Sequence, residues 1–318
     1  MRKIGIIVLT AFALVGCVAP TPTEDTRAIR FVSQYSRALI DNSEDLQQQE
    51  LKLFGAYTLD GRGATLFDAE RLYYDASLPG WDYNNTQYWM SGASYHFCAV
   101  CPYVAPCTFS ATNNRVLLSA YEGTTNGPDL LYSTAVRDLS AGADYSTVFL
   151  QFHHACAAVQ FNLINASNAA LIEVQNIRLV GLYNKGDFAF DTEGRVEWNL
   201  GNVTVADNAD PQPYGGVCTL PSGGLAVNIN VKHSLYDNGA FLVLPQSVYK
   251  TPITLHLEYK KQGEAVASIR NIELGWLGDS APTEWRAGEK YEYNLTLTDN
   301  TITTEVKVVP WIDHYVDL

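Results

Sequence analysis

The chain has 318 residues, of which 47% are hydrophobic and 17% charged, and 21 basic against 34 acidic residues give a net charge of −13. No basic patch is available to neutralise phosphates, so nucleic acid and an anionic membrane surface are excluded as partners recognised by charge. The length is more than one core comfortably fills and suits two domains.

Arg2 and Lys3 head an apolar run from Ile4 to Val15. A helix needs about 20 apolar residues to span a bilayer, so this shorter run reads as an export signal. Leu14-Val15-Gly16-Cys17 resembles a lipobox, in which the cysteine thiol takes a diacylglyceryl group and the freed amine is acylated. Residues 1–17 are then the lipoprotein signal, Cys17 becomes the first mature residue, and the anchor is the outer membrane of a Gram-negative envelope. An ordinary secretory peptide that happens to end in cysteine is the alternative. Val18-Ala19-Pro20-Thr21-Pro22-Thr23 reads as a Pro-stiffened tether, taken here as residues 18–27.

Beyond Glu24 the hydrophobic period is two. Leu51, Leu53, Tyr57 and Leu59 alternate with more polar neighbours, as do Val148, Leu150 and Phe152, then Val159, Phe161 and Leu163. Leu225 to Val231, Ile253 to Tyr259 and Tyr291 to Leu297 repeat the pattern. Each is a half-buried strand of the antiparallel kind. Pro79-Gly80, Gly127-Pro128, Pro221-Ser222-Gly223-Gly224 and Asp237-Asn238-Gly239 mark turns, and Asn42 to Glu50 offers at most a turn or two of helix. Short strands without alternating helices predict an all-β protein of two tandem antiparallel β-sandwiches. The interruption from Asp138 to Ser146 places the break between them, giving domains 28–145 and 146–318.

Five cysteines remain besides Cys17: Cys98, Cys101, Cys107, Cys156 and Cys218. Cys98 and Cys101 form a CxxC, but their surroundings read as a strand, where residues three apart lie about 10 Å from each other. That exceeds the roughly 7 Å a disulfide tolerates, and no second ligand pair has zinc spacing, so the thiols read as small buried hydrophobes. His153 and His154 are adjacent on a strand and therefore point to opposite faces, one to the core and one to solvent. No nucleophile elbow, metal-protease motif or phosphate-binding loop is present, and no cofactor or catalysis is indicated. Trp81, Tyr83 and Trp89 crowd together and could form a platform for stacking a sugar ring; the competing reading is that they plug a sandwich core.

Ala28-Ile29-Arg30-Phe31, Ser36-Arg37-Ala38, Gln87-Tyr88-Trp89 and Tyr95-His96-Phe97-Cys98-Ala99-Val100-Cys101-Pro102 follow one another in an order that resembles the fimbrillin-like family of lipoprotein pilins. Phe152-His153-His154-Ala155-Cys156-Ala157-Ala158-Val159, Gly288 to Leu295 and Val309-Pro310-Trp311 are similar to its later strands. The cysteine cluster departs from the family pattern. The resemblance implies two transthyretin-like β-sandwiches and a fimbrial subunit that contributes to adhesion, with other fimbrial subunits and surface ligands as partners. It also implies that an arginine-specific protease removes the first strand and a neighbour's strand replaces it.

In this chain the removable strand would be Ala28 to Leu39, with cleavage after Arg37. The donor would be the alternating run Ile302, Thr304, Val306 and Val308. Two other outcomes compete: Ile302 to Val309 closes its own sheet, or the protein is a glycan-binding outer-membrane lipoprotein that uses the aromatic platform.

Overall fold

The computed structural model describes residues 24–34, 46–77, 80–103, 107–123, 129–142, 144–200, 224–235, 240–249, 253–277 and 281–311. The N-terminal part is a closed barrel of seven strands: β1 (Phe31–Gln34), β2 (Leu51–Leu59), β3 (Arg62–Asp75), β4 (Gly80–Asp82), β5 (Ser94–Cys101), β8 (Leu131–Asp138) and β9 (Val148–His154). Around the barrel the order is β1-β4-β3-β2-β5-β8-β9, and β1 closes it by pairing with β9. The turn between β2 and β3 is Asp60-Gly61, both at positive φ (50° and 73°), a backbone shape that suits a two-residue hairpin and that glycine adopts without strain.

β6 (Cys107–Ser110) and β7 (Arg115–Glu122) pair with β12 (Lys185–Asp191) and β13 (Val196–Asn199) in a separate sheet, order β13-β12-β7-β6. Its side chains Val116, Leu118, Phe188 and Phe190 pack with Phe54, Cys98 and Val100 from β2 and β5. Those two barrel strands are therefore buried on both faces. β2 has no exposed side chain from Leu51 to Ala56, and β5 sends Tyr95, Phe97, Ala99 and Cys101 inward while Cys98 and Val100 face the added sheet. At Gly55 the packing leaves no room for a side chain, since a Cβ would lie 2.9 Å from Phe67 Cδ2 and 3.1 Å from Phe97 Cδ1.

The C-terminal part is a sandwich. One sheet runs β15 (Lys232–Ser234), β10 (Ala157–Asn165), β21 (Glu289–Leu297), β22 (Ile302–Pro310), with β16 (Phe241–Val243) also on β10; the other runs β14 (Leu225–Asn228), β11 (Leu171–Val180), β18 (Thr254–Lys261), β19 (Ser268–Glu273). Val159, Phe161, Tyr293 and Leu295 from the first meet Ile172, Val174, Leu255 and Leu257 from the second in one core. A small ladder of β17 (Gln246–Ser247) and β20 (Glu284–Trp285) completes the strands.

The all-β architecture agrees with the two-residue hydrophobic period, and three features differ from expectation. Among the described residues two strand pairings are parallel, β1 with β9 and β10 with β21, joining segments far apart in the chain. β10 shows the consequence, for it is buried on both faces nearly throughout instead of alternating. The proposed division into 28–145 and 146–318 is also corrected. Val148, Leu150 and Phe152 of β9 lie in the barrel core, so the interruption at Asp138 to Ser146 is a connection inside the barrel, and the chain leaves it only after His154. Finally, the added sheet takes strands from both sides of that exit.

Candidate assembly site

β1 is four residues long and sits between two neighbours. It meets β9 in parallel from Phe31 opposite Val148 to Gln34 opposite Gln151, but it meets β4 at the single pair Phe31 and Trp81. Ile29 and Phe31 point inward and are each 1% exposed. The Phe31 ring makes edge contacts with Phe97, Phe67 and Tyr83 at centroid distances of 5.4, 5.9 and 5.9 Å. Burying a ring of this size stabilises by roughly 1.5 to 3 kcal/mol, in addition to the backbone ladder that β1 makes with β9.

The aromatic group adds side-chain hydrogen bonds. Trp81 Nε1 donates to Ser33 Oγ at 2.9 Å, and the Tyr83 hydroxyl donates to the Ile29 carbonyl at 2.8 Å. Burial pushes the Tyr83 phenol up to about 12, which keeps it a donor throughout the ordinary pH range. Trp89, in edge contact with Tyr95 at 4.7 Å, is only 2% exposed, and its backbone N–H reaches the Arg27 carbonyl. A glycan platform made from Trp81, Tyr83 and Trp89 is thereby corrected: the three are 4%, 6% and 2% exposed and face inward. Trp81 and Tyr83 are the seat of β1, and the density of aromatics reflects a barrel core with a hydrogen-bonding rim. Alongside runs a hollow of about 480 Å³ lined in part by Arg30, Val32, Asp82, Thr86 and Thr147.

At the other end of the chain, Ile302, Thr304, Val306 and Val308 stand opposite Leu297, Leu295, Tyr293 and Tyr291 on β21 and share their face. Ile302 and Val306 pack on the sandwich core, whereas Val308 is 46% exposed. Among the described residues β22 pairs with β21 alone and is the edge of its sheet. In this structure the run closes its own sheet. Cys17 and Arg37 lie outside the described residues, as does Cys218.

Among the described residues the remaining cysteines and histidines are mostly buried or paired. Cys98, Cys101 and Cys156 are free and buried, and Cys107 is half-buried. Burial raises the Cys98 thiol to about 12 and raises those of Cys101 and Cys156 as well, with the nearby Asp129 charge adding to both. No group of three His, Cys, Asp or Glu side chains among the described residues could hold a metal. Of the histidine pair, His153 is exposed and His154 buried, as adjacent strand positions require. His154 Nδ1 lies 2.7 Å from Asp129 Oδ2, and its ring stacks on Trp311. The sequence gives no sign of either partner, although an inward-facing histidine always calls for one.

Barrel, sandwich and a short strand seated by side-chain hydrogen bonds define an all-β protein organised around strand pairing. Residues 37–311 match the model of the fimbrillin-like family, and the chain belongs to that family. The fold is similar to that of a fimbrial protein from Bacteroides vulgatus, with 15% identity, TM-score 0.60, and coverage of 90% of this chain and 99% of that one. It is also similar to a candidate cell adhesion protein from Bacteroides uniformis, with 14% identity, TM-score 0.53, and coverage of 90% and 98%. At these identities the likeness shows the fold. No curated protein matches the chain. Family membership places the chain among the fimbrillin-like proteins.

Proposed function

We propose that the chain is a subunit of a surface fimbrium, anchored in the outer membrane through Cys17 and joined to other subunits by strand exchange at the β1 seat. The observation that carries this reading is the way β1 is held: a four-residue parallel ladder to β9, one buried ring, two side-chain hydrogen bonds, and a single paired position on the β4 side. Removing β1 would expose the unpaired backbone of β4 and β9 above a trough of Phe67, Tyr83 and Phe97, which a folded barrel does not leave open. An extended segment from another subunit fills such a trough by main-chain pairing, with alternate side chains seated in the core. The C-terminal run supplies apolar residues at the right period in Ile302, Val306 and Val308. Adhesion to surface ligands is then a property of the assembled filament.

The test is treatment of the purified protein with an arginine-specific protease. Cleavage after Arg37 together with detergent-resistant ladders is expected, and ladders should fail when residues 302–318 are absent. A chain that is cut at Arg37 yet stays monomeric at high concentration, or that polymerises equally well without residues 302–318, overturns the exchange mechanism. For the anchor, Cys17→Ser should abolish palmitate labelling and fractionation with the outer membrane.

A further inference from the structure

The imidazole of His154 and the indole of Trp311 are stacked with centroids 3.8 Å apart and 1° between their planes. His154 ends β9, and Trp311 directly follows β22, where its N–H bonds the Gly288 carbonyl at 2.9 Å and completes the pairing with β21. The ring stack therefore ties the C-terminal strand to the barrel. It is backed by Asp129, whose side chain is fully buried and whose Oδ2 holds His154 Nδ1.

β9 also carries β1, and its two halves have different partners. Val148 to Gln151 pair with β1, whereas Phe152 to His154 pair with β8. Once β1 is gone, the first half of β9 has no strand partner in that register. An unpaired strand end opens locally at low cost, and His154 lies at the other end of the same seven residues. The clasp is itself poised to open. His154 Nε2 and Asp129 Oδ1 are buried with no hydrogen-bond partner among the described residues, a desolvation cost that is returned when water reaches them.

We propose that β9 couples the two ends of the chain: the Trp311–His154 stack clasps the C-terminal strand onto its own subunit while β1 is seated, and loss of β1 loosens the clasp. The inference rests on the strand-exchange reading for its purpose, because it would keep the donor strand at home until the seat is vacated. It does not need that reading for its mechanism, which is a coupling between two contacts of one strand.

The experiment uses the full uncut chain and no protease, so its outcome is separate from that of ladder formation. Amide hydrogen exchange of Ile302 to Val309 is compared in the wild type, Trp311→Ala, Val32→Pro and the double variant, with exchange of β18 as a monitor of global unfolding. Trp311→Ala should speed β22 exchange about tenfold, the scale of losing one stacked aromatic pair. Val32→Pro, which removes a ladder donor from β1, should speed it by a comparable factor, and the double variant should add little to either. Should Val32→Pro unfold the barrel, Ser33→Ala removes the Trp81 bond instead and is expected to give a smaller change of the same sign. Unchanged β22 exchange in Trp311→Ala would show that there is no clasp. Additive effects of the two substitutions, or no effect from either β1 variant while β18 stays protected, would show that there is no coupling.

Discussion

Cys98 and Cys101 occupy one strand but belong to different cores. Three positions apart on β5, they face opposite sides: Cys101 lies among the inward residues of the barrel, and Cys98 lies under the added sheet with Phe54 and Phe188. A disulfide between them would have to cross the strand.

Thiol chemistry at Cys98, Cys101 and Cys156 should therefore be silent in the folded state. With its pKa at about 12, Cys98 presents on the order of one thiolate in ten thousand at pH 8. Mass-mapped alkylation at pH 8 is expected to leave Cys98, Cys101 and Cys156 unlabelled until denaturant is added. Reducing agent should shift the melting temperature by little, since no bond worth about 2 to 5 kcal/mol is present among these three to break. Rapid labelling of Cys98 in folded protein would contradict this assignment.

The same burial sets an alkaline limit on stability. The folded pKa values of Cys98, Cys101, Cys156 and Tyr83 lie above those of the unfolded chain, and burial is the first cause for each. Their contribution is complete below the unfolded values, near 8.5 for thiols and 10 for phenols, and is lost as pH rises toward the folded ones. Urea midpoints should fall steadily from about pH 9 to pH 12, and Cys98→Ala should flatten that slope even though it costs stability at neutral pH. An unchanged slope in the variant would show that Cys98 does not titrate in the transition.

The aromatic seat predicts separable losses. Trp81→Phe keeps a buried ring and gives up the bond to Ser33, at a cost of about 1 kcal/mol, while Tyr83→Phe also orphans the buried Ile29 carbonyl and should cost more, roughly 1 to 3 kcal/mol. Trp89→Ala empties a core position and should cost about 3 to 5 kcal/mol. Thermal melts measure all three. Full retention of stability in Trp81→Phe and Tyr83→Phe would show that these bonds do not hold β1.

The barrel's true extent can be checked with fragments. Residues 24–145 lack β9 and with it Val148, Leu150 and Phe152 of the core, and β1 then has no parallel partner. Such a fragment should show no cooperative melt by circular dichroism. A sharp transition would restore the division at Ser146.

Strand positions were legible because half-burial writes itself as alternation: Leu51 to Leu59, Val148 to Phe152 and Tyr291 to Leu297 all fall within strands. Partners were not. Asp138 to Ser146 has the composition of a linker because a connection inside a barrel needs the same turn residues as one between domains. The pairing of β7 with β12 joins segments more distant than any local pattern records. Trp81 and Tyr83 could be read either as platform or as core, because density of aromatics does not say which face of a strand they occupy. His154 was recognisable as one of two opposed histidines, but nothing local links it to Asp129 or Trp311.

The parallel pairing of β1 with β9 also orders events during folding. Hairpins such as β2 with β3 close over two residues, whereas Phe31 reaches Val148 only after nearly the whole barrel sequence has been traversed, and closure entropy grows with that span. β1 is thus expected to dock late, outside the nucleus. Interactions missing from the transition state act on unfolding alone, so Val32→Ala should quicken unfolding and leave the refolding rate unchanged, a φ-value near zero. On that order of events, β1 and a strand from another molecule would compete for the same trough.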